Sequence, residues 1–246
     1  MSDIRISEIK QKAWNDLSGK WGDAALTTLV YFLVALGAAF VPLGSILVSG
    51  PLSVGFVLYF VYLIKKKPVR LGLIFEAFQF YGNALLTYFL RMILVFLAAS
   101  PLIIVSFVLA FSLADPSGAK LFFVFILFLV FLALPLYIGL RLGVMYFIVA
   151  DNPKVSADNA LEISWKMMKG HEWDLLLLTL SFILWYLLSI VTLGIGFLWL
   201  MPYYYTSVGH FYMELKHRYP AYAEMIDAFG NENRPDEPMD EVYLNQ

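Results

Sequence analysis

The chain has 246 residues, of which 61% are hydrophobic and only 15% charged. Soluble domains run at roughly 45–50% apolar and about 25% charged, and the mean hydropathy here is +0.74. Its 17 Lys and Arg against 19 Asp and Glu leave no basic surface for nucleic acid. The lack of cysteine excludes disulfides, thiolate metal sites and a cysteine nucleophile.

Such a composition suits lipid, and the apolar periodicity predicts an all-α polytopic fold. Ile6, Ile9, Ala13 and Leu17 mark one helical face, so residues 5–18 are expected to form a short amphipathic helix at the cytoplasmic membrane surface, its apolar groups in the headgroup boundary. Asp3, Glu8, Asp16 and Asp23 around it, and the long apolar run that follows, are unlike a cleaved signal, so this N-terminus is expected to be retained. A first span covers Ala24–Val41. The second, Leu52–Ile64, falls short of the ~20 residues a crossing needs unless Pro42–Pro51 contributes. A full crossing and a re-entrant segment are both open over residues 42–64.

A second amphipathic segment, residues 71–81, carries Leu71, Ile74, Phe75 and Phe78 on one face. Spans three and four follow at Met92–Leu113 and Leu121–Leu140. The third amphipathic helix, residues 155–169, has Ala157, Leu161, Trp165 and Met168 as its stripe. Ser156 is its N-cap, Asp158 lies in its first turn, and Lys166 and Lys169 lie in its last. Spans five and six run Leu175–Leu193 and Gly196–Leu215. Beyond Pro220, Tyr222, Met225, Ile226 and Phe229 repeat the helical face over residues 221–229, and the acidic tail 231–246 is expected to be disordered.

Charge sets the orientation, because Lys and Arg collect on the cytoplasmic side. Arg5, Lys10, Lys12 and Lys20 precede span one; Lys65, Lys66, Lys67 and Arg70 follow span two; Lys154, Lys166 and Lys169 follow span four; Lys216, Arg218 and Arg234 follow span six. With six crossings and both termini inside, only Lys120 falls outside. A repeat supports the same count. Trp14, Gly19 and Asp23 recur in spacing as Trp165, Gly170 and Asp174, and Gly82–Asn83 open the third span. Asp and Asn would act as N-caps and Gly as the turn out of the preceding helix. The expectation is one domain, residues 1–230, of six transmembrane helices in three hairpins, each preceded by a cytoplasmic interfacial helix.

The search for chemistry eliminates more than it finds. GIGFLW (194–199) has Trp199 where a dinucleotide loop needs glycine, and HEWDL (171–175) has Leu175 where a zinc helix needs its second histidine. No Asp or Glu lies deep in a predicted span, so a carboxylate proton relay has no carrier. Neither a catalytic residue nor a cofactor nor a metal is expected, and the chain reads as a non-enzyme. An intramembrane lipid enzyme is the weakest reading, because Ser207 with His210 is a slender basis for a reaction centre.

The polar residues left inside the spans are the candidate ligand or headgroup contacts. Arg91 and Arg141 lie in apolar helices, where a central Arg costs about 2.5–3.5 kcal/mol on insertion scales. They either snorkel to the interface or face an anionic ligand or lipid headgroup. Tyr203, Ser207, His210, Glu214 and His217 follow one face of span six. Either the first three form interhelical hydrogen bonds, or His210 lines one cytoplasm-facing cavity with both arginines. Gly139 and Gly143 form a small-residue packing face, and Pro101, Pro135 and Pro202 are expected to kink or interrupt their spans.

At ADNPKVSADNALEISWKMMKG (150–170), LSFILW (180–185), TLGIGFLWLMPY (192–203) and FY (211–212), the chain resembles the bacterial integral-membrane family called domain of unknown function 975. The likeness is strongest over residues 146–215. It departs from the pattern at Leu184, where a glycine is expected, and at Glu172 and Asp174, where basic residues are expected nearby. The resemblance implies a multi-pass protein of the bacterial cell membrane and supplies no catalytic residues. Its partner is the bilayer, with a membrane protein or a second copy of the chain also open, and no nucleic acid. The function expected is a scaffold or assembly factor that recruits lipid or a protein. The alternative is a channel or transporter for a small or amphiphilic solute.

Overall fold

The structure is a computed structural model that describes residues 5–114 and 117–229. Among them the chain is entirely helical. The order is α1 (Ile6–Leu17), α2 (Trp21–Ala39), α3 (Gly44–Ile64), α4 (Leu73–Glu76), a 3-10 turn (Ala77–Phe80), α5 (Tyr81–Ala114), α6 (Gly118–Arg141), α7 (Met145–Asp151), α8 (Ala157–Met167), α9 (Glu172–Leu180), α10 (Ile183–Val191), α11 (Phe197–Arg218) and α12 (Pro220–Ala228). By length and composition, five described segments can cross a membrane: Trp21–Ala39, Gly44–Ile64, Leu73–Leu109, Lys120–Asp151 and Glu172–Val191. That pattern fits a polytopic membrane protein. The more polar α11 is not among the five.

The span that looked too short is the centre of the molecule. Pro42–Pro51 does contribute: α3 is 21 residues long and continues through Pro51. It packs against α2, α4, α5, α7 and α11 and is buried from Gly50 almost to its end. Two glycines explain the close packing. A Cβ on Gly55 would collide with the Ile74 carbonyl oxygen, and one on Gly50 would lie 2.8 Å from the Leu85 Cα.

The amphipathic segments are turned inward. In α1, Ile9, Ala13 and Leu17 are buried, with α11 as the main partner. In α8 the buried face is Ala157, Ala160, Ile163, Ser164 and Met167, against α5 and α7. Of the stripe expected there, Ala157 and Met168 are buried, while Leu161 and Trp165 are half-buried. The α1 stripe and part of the α8 stripe therefore meet protein, because helical period identifies an apolar face without identifying what covers it. Residues 71–81 differ further from expectation. They form one α-turn and one 3-10 turn laid along α3, with Ile74 inside and Leu71, Phe75 and Phe78 outside. The last segment, α12, packs on α11 with Tyr222 and Ile226 buried. Gly230 and the tail lie outside the described residues.

Two of the three glycines of the expected repeat have a like conformation. Gly19 and Gly170 have φ of +75° and +85° and turn the chain out of α1 and α8. Gly82 sits inside α5, where the 3-10 turn runs straight into the helix and no left-handed residue is needed. Asp23, Asn83 and Asp174 are not N-caps. Asp23 and Asp174 lie in the first turns of α2 and α9, behind Lys20 and His171, and Asn83 lies within α5. Its side chain instead donates to the carbonyls of Pro153 and Val155 at 3.1 and 2.7 Å, joining α5 to the α7–α8 turn. Ser156 does hold the N-cap position of α8, but its hydroxyl accepts from the Asn159 side chain rather than from the backbone.

The prolines do not interrupt their helices: α5, α6 and α11 continue through Pro101, Pro135 and Pro202. The spiral breaks where no proline stands, at residues 142–144 and 181–182. The glycine pair does form a tight turn: Leu193 and Gly194 have φ of +52° and +91°, and Gly196 packs against Ser189.

The described parts of α5 and α6 pack together and expose apolar side chains over much of their surface. Phe96, Ile104, Phe107, Phe122 and Phe123 all stand out, Phe107 at 72% exposure. At 34 residues, α5 is roughly 51 Å long, against a hydrocarbon layer of about 30 Å. Its first turns pack on α3 and α8, and its exposed apolar stretch begins at Met92. Arg91 stands at that border.

Candidate functional site

Arg91, on α5, lines a cavity of about 300 Å³ bordered by six helices. From α3 comes Val57; from α6, Pro135 and Gly139; from the turn between α6 and α7, Gly143; from α7, Tyr146; from α9, Thr179; from α11, Tyr204 and Tyr205. The two glycines have separate tasks. A Cβ on Gly143 would strike the Leu175 side chain, so that glycine lets the α6–α7 turn pack on α9, whereas a Cβ on Gly139 would have nothing within 4 Å, which leaves open space.

The Arg91 guanidinium stands over the Tyr146 ring, 4.7 Å from its centroid. No carboxylate among the described residues pairs with it. The walls add hydroxyls, and those of Thr179 and Tyr204 lie 3.3 Å apart. Thr179 Oγ1 also donates to the Leu175 carbonyl at 2.9 Å, so these two hydroxyls satisfy each other and the backbone. No Asp, Glu or His lines the cavity. The cavity therefore combines a permanent cation with polar walls and no competing anion, and the cation is its means of holding a carboxylate or phosphate.

Arg141 is used differently. It is 7% exposed, and its Nε lies 3.0 Å from the Tyr137 hydroxyl and 3.2 Å from Glu172 Oε1. Its Nη1 donates to the Trp165 carbonyl at 2.7 Å, its guanidinium lies 4.7 Å from the Trp165 ring centroid, and its own carbonyl accepts from Ser164 Oγ at 2.9 Å. These contacts tie α6 to α8 and α9. Glu172, at a site where the family resemblance suggests basic residues nearby, is the counter-charge.

The polar stripe of α11 faces α1, away from the arginines. His210 Nε2 lies 3.0 Å from Asp16 Oδ2. Ser207 is fully buried and donates to the Tyr203 carbonyl of its own helix. Tyr203 is surrounded by Trp14, Trp21, Phe182 and Trp185. Of the five candidates, Arg91 alone lines the cavity, Arg141 is locked beside it in sequence pattern only, and Tyr203, Ser207 and His210 share the α1-facing side. Successive helical residues rotate by about 100°, so the run Tyr203–Tyr205 serves two sites: the first ring faces the tryptophans and the next two face Arg91.

Sequence reasoning missed the buried carboxylates. Asp151 ends α7 almost fully covered and pairs with Lys65 and, at 2.8 Å, with Lys216, while the Tyr212 hydroxyl donates to it at 3.0 Å. Asp16 pairs with Lys66 as well as His210. His171 bridges Asp174 and the Tyr219 hydroxyl, each at 2.9 Å. Lysines that in sequence only mark orientation thus fasten α3 to α1, α7 and α11. The recurrence of lysine at the ends of α3 and α11 was the available signal; its partners are remote in sequence.

No curated protein and no solved structure matches this chain. A family model described as protein of unknown function (DUF975) matches residues 1–219. With nearly all the described chain covered by that match, the protein belongs to the DUF975 family.

Proposed function

We propose that this protein is a non-catalytic, multi-pass component of the bacterial cell membrane that retains an anionic amphiphile at Arg91 and acts as a lipid-holding scaffold. The observation that carries the proposal is Arg91 itself: a cation without a carboxylate partner among the described residues, in a cavity with polar walls. An unpaired charge at a lipid border is costly, and a bound phosphate or carboxylate would offset that cost through charge-assisted hydrogen bonds. The exposed apolar stretch of α5 beginning at Met92 gives the ligand's tail a surface to follow. Because the α1 stripe and part of the α8 stripe are covered by protein, recruitment by free amphipathic helices is the less supported form of scaffold.

In this proposal the chain crosses six times as three hairpins, α11 being the sixth crossing, with both termini cytoplasmic. The support is the charge pattern, which leaves only Lys120 outside. Because the chain contains no cysteine, single cysteines at Lys67 and Lys120 report the two sides directly. A membrane-impermeant thiol reagent applied to intact cells should label the second and spare the first.

Binding is tested by titrating purified protein with phosphatidylglycerol and with phosphatidylethanolamine of identical chains while following thermal unfolding. The anionic lipid should raise the midpoint, and Arg91→Gln should remove the rise. Equal shifts from both lipids, or a shift that survives in the variant, would sink the proposal. Solute flux that depends on Arg91 would move the protein to the transporter class.

A further inference from the structure

Four of the chain's six tryptophans converge on one notch on the α1 side of α11. Trp14 of α1, Trp21 of α2, Trp185 of α10, and Trp199 and Tyr203 of α11 enclose about 350 Å³, and no other residue lines it. The turn at Gly19 brings α1 back onto α2, so that Trp14 and Trp21 meet at 5.0 Å and 62°. Tyr203, nearly buried, packs against Trp14, Trp21 and Trp185 at interplanar angles of 74°, 70° and 85°. Rings that meet close to right angles make the walls of a box rather than a stack.

We propose that this aromatic box binds the quaternary ammonium headgroup of a choline-type amphiphile. Ring faces carry negative potential and attract cations. Lys10 Nζ lies outside the box, 4.5 Å from the centroid of Phe182 and 5.9 Å from that of Tyr203, and donates to the Ser181 carbonyl at 3.1 Å, so no cation of the chain itself lines the notch. The box itself selects the kind of cation. Four of the five lining rings are indoles, whose N–H groups cannot accept a hydrogen bond, so a primary ammonium or guanidinium finds a single acceptor there, the Tyr203 hydroxyl. A quaternary ammonium has no N–H to satisfy. Trp14, Trp185 and Trp199 are each partly exposed, and Leu188, one turn on from Trp185, is open as well, so a tail attached to the headgroup has apolar surface beside it. This site is separate from the Arg91 cavity and does not depend on it.

The test uses the full chain in vesicles of phosphatidylglycerol containing equal amounts of phosphatidylcholine and phosphatidylethanolamine with the same acyl chains. After mild extraction, the ratio of the two retained minor lipids is measured. The box predicts enrichment of phosphatidylcholine by about tenfold, a difference within the range of a desolvated cation–π site. Tetramethylammonium should abolish the enrichment, and 3,3-dimethylbutan-1-ol, of the same shape as choline but uncharged, should not. Trp185→Leu with Trp199→Leu should return the ratio to that of the vesicle, while the corresponding Phe pair, with an unchanged unfolding midpoint, should keep most of it. Equal retention of both lipids by wild type, displacement by the neutral alcohol, or undiminished enrichment in the leucine pair would each overturn the proposal. In those cases the tryptophans form an interfacial belt and no more.

Discussion

Arg91 and Arg141 occupy matching positions in sequence, each a lone cation where a long apolar helix nears its inner end, and the fold treats them oppositely. Arg141 is enclosed by Glu172, Tyr137, and the ring and carbonyl of Trp165. Arg91 has a single aromatic face and an open cavity. The contrast separates a charge that holds helices together from a charge that is available to a ligand. Insertion cost, which is similar for both, says nothing about which is which.

The sharpest way to break the comparison is to remove the locked arginine. Arg141→Leu leaves Glu172 without its partner and should lower unfolding stability by about 3–5 kcal/mol, the usual cost of breaking a buried pair. Chemical denaturation in detergent would measure it. Adding Glu172→Leu should recover part of the loss, since two apolar groups replace the pair, while the Tyr137 and Trp165 bonds stay lost. A single mutant as stable as wild type would contradict the structural role.

Arg91→Gln should behave in the reverse manner. Loss of the cation–π contact and relief of an unpaired charge oppose each other, so ligand-free stability should stay within about 1 kcal/mol of wild type. Retention of anionic lipid should fall about tenfold or more, as expected for losing a charge-assisted pair. Gly139→Leu sharpens the point from another side, because it leaves Arg91 in place and fills space in which no atom lies within 4 Å. Ligand should be excluded with little effect on unfolding. The smallest effect belongs to Tyr146→Leu, which removes the ring under Arg91 and should weaken lipid binding by about 0.5–2 kcal/mol, read as a shift of the titration midpoint.

Much of this architecture was legible in the sequence. The apolar runs located the long helices, Gly19 and Gly170 marked the exits from α1 and α8, and the four- and three-residue steps put Tyr203, Ser207 and His210 on one face. What covers a face was not legible. Ile9, Ala13 and Leu17 read as membrane-facing and turn out to meet α11, because periodicity carries no information about the partner. The same gap hid Asp16, within the first amphipathic helix, and Asp151, between two expected helices; the path of α3 brings Lys66 and Lys65 to them. Helix α3 was underestimated because Pro42–Pro51 suggested a broken chain, whereas the helix starts at Gly44 and continues through Pro51. The distinction between the two arginines also lay beyond local reading, since it depends on Trp165 and Glu172, two helices farther along the chain.

The most direct measurement is mass spectrometry of the protein extracted together with its surrounding bilayer, comparing wild type, Arg91→Gln and Arg141→Gln. The account predicts an anionic amphiphile in stoichiometric amount on wild type, its loss from Arg91→Gln, and its retention by whatever fraction of Arg141→Gln remains folded. The same lipid profile on wild type and Arg91→Gln would contradict the assignment of Arg91 as the ligand's anchor.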